Sequence, residues 1–164
     1  MCGLLGMLAA TGNVDKYVDA LERSLPCMRH RGPDAAGTWH DGDAAFGFNR
    51  LSIIDLEHSH QPLRWGPEDQ PDRYAMTFNG EIYNYVELRE ELKGLGYTFH
   101  TEGDGEPIVV GYHHWGKDVV NHLRGMFGIV IWDTHTKTMF AARDQFGIKP
   151  LYYATTPALS LIHI

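Results

Sequence analysis

Apolar positions along this chain follow two rhythms, one of period two and one of period three to four. Residues 2–10 are small and apolar without helical spacing, which predicts a strand buried on both faces and punctuated by Thr11-Gly12-Asn13. Over residues 15–25, Val18, Leu21 and Leu25 recur at i, i+3 and i+7. This spacing predicts an amphipathic helix, with Asn13 or Asp15 as its cap and Pro26 at its end. Two strand-like runs, 37–40 and 44–54, flank Asp41-Gly42, a hairpin signal. Residues 58–73 are rich in proline and charge and predict a long surface loop. Residues 74–78 alternate as a strand that ends at a turn of Asn79-Gly80-Glu81, and Asn84 stands where it would cap a helix running to Leu92. A short strand is predicted at 98–100, and a helix at 106–115 with Pro107 in its first turn. Residues 126–132 and 139–143 predict a second hairpin, and 151–154 a further strand. Strand, helix, several strands, helices and strands again make an α+β order, not the alternation of a doubly wound sheet.

Composition narrows what such a fold can do. At 164 residues the chain fits one domain, and 43% hydrophobic residues with 12% aromatics supply a core and exclude disorder. Fourteen Lys and Arg against 21 Asp and Glu leave a net charge of −7, a poor match to nucleic acid, whose affinity comes mainly from cations displacing counterions. No uncharged apolar run approaches the ~20 residues of a membrane helix, and no basic segment precedes residues 4–10 as an export signal requires. Two cysteines cannot form a disulfide framework. Their scarcity predicts a reducing, cytoplasmic setting without nucleic-acid or membrane partners. The ten histidines show no zinc-type spacing, and neither GxGxxG nor GxxxxGK[ST] occurs, so no metal or nucleotide site is expected in the chain.

The last six residues, Leu159-Ser160-Leu161-Ile162-His163-Ile164, fit neither a helix stripe nor a clean continuation of the preceding strand. They equal the translation of CTGTCTCTTATACACATC, the end sequence of a widely used sequencing transposase. The expectation is a natural domain over 2–158 and an adapter-derived tail over 159–164.

Several residues are candidates for chemistry. If Met1 is removed, Cys2 becomes the first residue. Its thiol then lies beside an α-amine of reference pKa ≈ 7.7–8.0 that can act as its own base. Cys2 equally reads as a small apolar residue opening a buried strand, and Cys27 as a packing residue. Arg50, at the edge of an apolar run, could clamp a carboxylate with two parallel hydrogen bonds or sit in a surface ion pair. Asn79-Gly80-Glu81 offers an amide donor, an unobstructed N–H and a carboxylate, or a simple turn. Asp104 could bind a cation or cap the helix that follows it. Together, an N-terminal thiol, an Arg clamp, an Asn-Gly donor pair and two carboxylates describe a site for a zwitterionic amino acid with a side-chain carbonyl. Glutamine fits.

Five ordered segments carry a family resemblance: Cys2-Gly3-Leu4-Leu5-Gly6, Arg29-His30-Arg31-Gly32-Pro33-Asp34, Arg50-Leu51-Ser52-Ile53-Ile54-Asp55, Phe78-Asn79-Gly80-Glu81-Ile82-Tyr83-Asn84, and residues 143–153 from Arg143 to Tyr153. From Cys2 to Tyr153 the chain resembles the N-terminal glutaminase domain of glutamine-hydrolysing asparagine synthetases, which are class II, N-terminal nucleophile (Ntn) amidotransferases. The resemblance implies a four-layer αββα sandwich, incomplete at the C-terminus, with an unpaired sheet edge. It implies Cys2 as nucleophile with its α-amine as base, and Asn79 and Gly80 as the oxyanion hole. It also implies Arg50 for the α-carboxylate of L-glutamine, Glu81 and Asp104 for its α-ammonium, and backbone around Leu51, Ile53 and Ile54 as lining. No cofactor is implied within the chain. A C-terminal synthetase domain using ATP and Mg²⁺ is the implied partner, and a homodimer is left open. Two alternatives stand beside this reading: a related synthetase with another carboxylate acceptor, and a non-catalytic glutamine-sensing module. Glycines and a proline around Asp104, and Asn49 before Arg50, depart from the family pattern.

Overall fold

The computed structural model describes residues 2–163. Met1 and Ile164, the last residue of the expected tail, lie outside the described residues. Among the described residues, nine strands form two antiparallel sheets. The first sheet has the order β2-β3-β1-β9-β8, built from Ala35–His40 (β2), Ala44–Arg50 (β3), Gly3–Ala9 (β1), Leu159–His163 (β9) and Tyr152–Thr155 (β8). The second has the order β4-β5-β6-β7, built from Leu63–Trp65 (β4), Tyr74–Ile82 (β5), Gly125–Asp133 (β6) and Thr138–Arg143 (β7). The helices are Asp15–Ser24 (α1), Tyr85–Gly94 (α2) and Glu106–Trp115 (α3), with 3-10 segments at Leu25–Arg31 and Gly116–Asn121.

Three apolar layers separate four structural ones. Val14, Leu21, Ala45 and Leu159 join α1 to the first sheet. Leu4, Phe46 and Phe48 of that sheet meet Ala75, Val130 and Trp132 of the second. Leu88 and Leu92 of α2 and Ile108 and Val109 of α3 pack on the far face, against Met76, Phe78, Ile129 and Ile131. This is the αββα sandwich. Strand alternation produces it: along β3, Ala45 faces α1 while Phe46 and Phe48 face the second sheet. Burial of each large side chain contributes roughly 1.5–3 kcal/mol. A hydrogen bond from Trp132 Nε1 to Asp41 Oδ2 (2.7 Å) ties β6 to the β2–β3 turn across the two sheets.

Several expectations need correction. The strand predicted over 44–54 stops at Arg50, because the guanidinium gathers the following carbonyls into a loop. The long loop of 58–73 contains β4, whose Leu63 and Trp65 are buried against α3. Residues 98–100 form no strand; Phe99 packs on the α2–α3 core instead of pairing. Asn79-Gly80-Glu81 is no turn but part of β5 near its C-terminal end, opposite Gly128, Phe127 and Met126. Asn84 occupies the N-cap position of α2, yet its side chain bonds the His122 carbonyl and the Arg124 N–H. Residues 159–163 do continue as a strand, paired with both β1 and β8. Leu159 and Ile162 fall on opposite faces there, the pattern required beside the doubly covered β1. β8 forms the sheet edge, and all four of its residues are exposed.

Candidate active site

Cys2 sits just ahead of β1 at the end of the first sheet, half-buried against the inter-sheet core. Its Sγ accepts the Leu51 N–H at 3.3 Å and lies 3.6 Å from the Leu51 carbonyl. Arg31 donates to the Cys2 carbonyl at 3.5 Å. Burial pushes the thiol pKa up, and the Leu51 N–H only partly offsets this. The sulfur is therefore a protonated thiol near neutral pH and needs a base to become a nucleophile.

The second sheet supplies the facing wall. Asn79 is 1% exposed, and among the described residues its Nδ2 has no hydrogen-bond partner. An orphaned buried donor costs about 1–3 kcal/mol, a cost removed when an oxygen of a bound molecule meets it. Next to it, Gly80 has no room for a side chain, since a Cβ there would stand 2.0 Å from the Met126 carbonyl. Asp104 does not cap α3, where Gly105 holds the N-cap position; its Oδ2 accepts the Ile82 N–H at 3.0 Å. Burial, with a smaller contribution from Glu81, raises the Asp104 pKa to about 6.

Arg50 is buried, and among the described residues it makes no ion pair. Its two Nη atoms donate to the carbonyls of Leu56 (3.0 Å), Ile54 (3.3 Å) and Asp55 (2.6 Å). The surface ion pair is thus excluded, and the guanidinium both shapes the loop and faces the cleft. Asp55 pins the same loop from the other side by accepting the His58 N–H, the Ser59 hydroxyl and the Glu102 N–H. Burial alone would raise the Asp55 pKa, but these donors, led by Glu102 N–H, bring it down to about 2.

One cleft is lined by all nine residues named from the sequence: Cys2, Arg50, Leu51, Ile53, Ile54, Asn79, Gly80, Glu81 and Asp104. Gln61 and Lys149 also line it and went unnoticed in the sequence. Gln61 lay inside the supposed loop. Lys149 belongs to a segment whose turn is built by Asp144, a carboxylate that accepts the N–H groups of Phe127, Phe146, Ile148 and Lys149. That turn delivers the Lys149 side chain, 2% exposed, toward Cys2. Burial, then Arg31, lowers its pKa. Cys27, expected to pack inside, is exposed. Among the described residues, no group of three or more His, Cys, Asp or Glu could hold a metal ion, and no helix is long and apolar enough to cross a membrane.

Comparison with known proteins gives this geometry a family. The chain is 57% identical over 166 residues to a putative glutamine-hydrolyzing asparagine synthetase of Mycobacterium tuberculosis, a match covering 94% of this chain and 26% of that protein. It is 44% identical over 160 residues to glutamine-hydrolyzing asparagine synthetase 1 of Bacillus subtilis, covering 94% of this chain and 24% of the relative. The chain thus spans about a quarter of the length of the curated relatives it matches. In fold it is similar to the glutamine phosphoribosylpyrophosphate amidotransferase of Bacillus subtilis, with a TM-score of 0.76 at 20% identity over 99% of this chain and 41% of that one. The profile described as "Glutamine amidotransferase domain" matches residues 1–163. On that match, and with the αββα sandwich that carries it, the chain belongs to the glutamine amidotransferase domain family.

Proposed function

We propose that this chain hydrolyses the side-chain amide of L-glutamine through Cys2 and passes the ammonia to a synthetase domain that makes asparagine from aspartate. The observation that carries this reading is the convergence of four separate stretches of sequence on one cleft: Cys2, residues 50–54, residues 79–81 and Asp104.

Removal of Met1 exposes the α-amine of Cys2, which takes the thiol proton as Sγ attacks the amide carbon. The carbonyl oxygen becomes an oxyanion held by Asn79 Nδ2 and the Gly80 N–H, donors already fixed before the reaction. The α-ammonium then gives its proton to the departing nitrogen, and ammonia leaves a γ-glutamyl thioester on Cys2. Water, deprotonated by the same amine, attacks the thioester carbon, so that glutamate is released and the thiol restored. Arg50 holds the substrate α-carboxylate against the backbone of Leu51, Ile53 and Ile54, and Glu81 with Asp104 holds its α-ammonium. No cofactor takes part in these steps. ATP and Mg²⁺ serve the synthetase domain, where aspartate is activated. A cytoplasmic setting is part of the proposal and rests on the scarcity of cysteine.

The test uses the full-length protein that contains this chain, supplied with ATP, Mg²⁺, aspartate and either glutamine or ammonia. Asparagine should form from both nitrogen sources, and Cys2→Ala should abolish only the glutamine-dependent route. Glutamine-dependent synthesis that survives Cys2→Ala would overturn the reading.

A further inference from the structure

Backbone groups along one edge of β5 follow a strict alternation. In an antiparallel sheet, each residue turns its N–H and C=O to the opposite side from those of the next. On β6, the Phe127 carbonyl accepts the Asp144 N–H at 2.8 Å, and the Phe127 N–H donates to Asp144 Oδ2 at 3.2 Å. Phe127 therefore faces away from β5, and its partner Gly80 faces away from β6. The Tyr83 N–H, on the other parity, bonds the Arg124 carbonyl on the β6 side. Phe78, Gly80 and Ile82 consequently present their amides to the edge on which β4 lies.

β4 covers only part of that edge, since its register with β5 runs from Trp65↔Tyr74 to Leu63↔Met76 and stops. The next position, Phe78, is satisfied by a side chain: Gln61 Oε1 accepts the Phe78 N–H at 2.7 Å, and Gln61 Nε2 donates to the Phe78 carbonyl at 3.1 Å. One carboxamide thus reproduces the paired bonds that a further strand residue would make. Two positions beyond Gly80, Asp104 accepts the Ile82 N–H. Between these fixed points the Gly80 N–H opens onto the cleft, which Gln61, Phe78, Gly80 and Asp104 all line.

We infer that Gln61 is a positioning residue for the oxyanion donor: its carboxamide takes the place of strand β4 beside Phe78, holding β5 straight while leaving the Gly80 N–H unpaired for the reaction. In the β4–β5 register, a β4 strand four residues longer would set residue 59 opposite Gly80 and cover its amide, and an unpaired edge would let β5 twist and re-aim it. Gln61 touches no reacting atom in this scheme. The inference rests on the glutaminase reading given above.

The experiment compares wild type with Gln61→Met, which keeps the side-chain length but removes both bonds, in the full-length protein. The expected result is a fall of about 10- to 100-fold in kcat for glutamine hydrolysis, a part of the ~10²–10³ that loss of an oxyanion donor costs. KM for glutamine should stay within about twofold. The inhibition constant of L-glutamate γ-semialdehyde should rise by the same factor as kcat falls. This aldehyde takes up the Cys2 sulfur at its carbonyl carbon and the thiol proton at its oxygen, and so places an oxygen in the oxyanion hole. Ammonia-dependent synthesis should not change, which controls for folding. A rise in KM with kcat intact would overturn the inference, as would a kcat loss without the matching change in semialdehyde inhibition. Should Gln61→Met fail to fold, site-resolved hydrogen exchange on wild type decides instead. The Phe78 amide should be protected and the Gly80 amide should exchange fast until the semialdehyde binds; a protected Gly80 amide in the free protein would overturn the inference. If wild type does not hydrolyse glutamine, or Cys2→Ala still does, it is the glutaminase reading that fails.

Discussion

The two walls of the cleft are built in different ways. One is strand: Asn79 and Gly80 lie within β5, an inner strand of the four-stranded sheet, and share the cleft with Cys2, just ahead of β1 of the other sheet. The other is loop: residues 51–60 have no regular structure beyond turns and are held by side chains bonding backbone, with Arg50 on three carbonyls and Asp55 on two N–H groups and a hydroxyl. Bond making needs donors held within about 0.5 Å, which strands provide better than loops. Recognition of an amino acid's head group tolerates a loop, provided that buried charges hold it. On the proposed reading, the reacting groups stand on the sheets, while the loop shapes a head-group pocket that Arg50 at the end of β3, Glu81 of β5 and Asp104 complete.

That division can be broken one wall at a time. The largest effect is expected for Cys2→Ala, which removes the nucleophile and should lower glutamate release by at least about 10⁴-fold, with glutamine binding retained by calorimetry. On the strand wall, Asn79→Ala should cut kcat by ~10²–10³ with little change in KM. On the loop wall, Asp55→Asn should do the reverse. Losing a charged acceptor for three donors costs about 1.5–3 kcal/mol, which would appear as a rise of about tenfold or more in KM with kcat within about twofold. A kcat loss in this variant would mean that the loop also positions reacting atoms.

The smallest effect is a pH dependence. Burial holds the Asp104 carboxyl near 6, so below that pH it is mostly neutral and must lose a proton before it can pair with an ammonium. Glutamine affinity, measured on Cys2→Ala protein to avoid turnover, should strengthen by about tenfold from pH 5 to pH 7 and then level off. Asp104→Asn should flatten that profile, while Asp55, held near 2, contributes no titration in this range.

Much of the strand wall could be read in the sequence. α3 was expected at the residues where it lies, both hairpins formed around their turns, and the apolar start of the chain became a central strand. All nine candidate residues line the cleft; eight of them lie in the motifs at 2–6, 50–55 and 78–84, and Asp104 joins them from outside the motifs through its bond to the Ile82 N–H. The loop wall was less legible for a physical reason. β4 is three residues long, too short for any period to show, and it hides in a proline- and charge-rich stretch. Asn79-Gly80-Glu81 has the composition of a turn, yet all three residues pair with β6 as strand, and position 80 is glycine where the Met126 carbonyl leaves no room for a side chain. Gln61 carries no local signal, and Lys149, although inside the 143–153 motif, has nothing around it in the sequence that marks it as a cleft residue. Each acquires its role from a partner far along the chain, Phe78 for the first and the cleft around Cys2 for the second.

The central claim is that Cys2, freed of Met1, is the nucleophile. Its most direct test is the intact and peptide mass of the full-length protein after treatment with 6-diazo-5-oxo-L-norleucine, a glutamine analogue whose diazo carbon alkylates a thiol with loss of N₂. The account predicts a chain that begins at Cys2, a single adduct on that residue, and glutaminase activity lost in proportion to labelling. An active protein that retains Met1, or inactivation with the adduct on another residue, would contradict it.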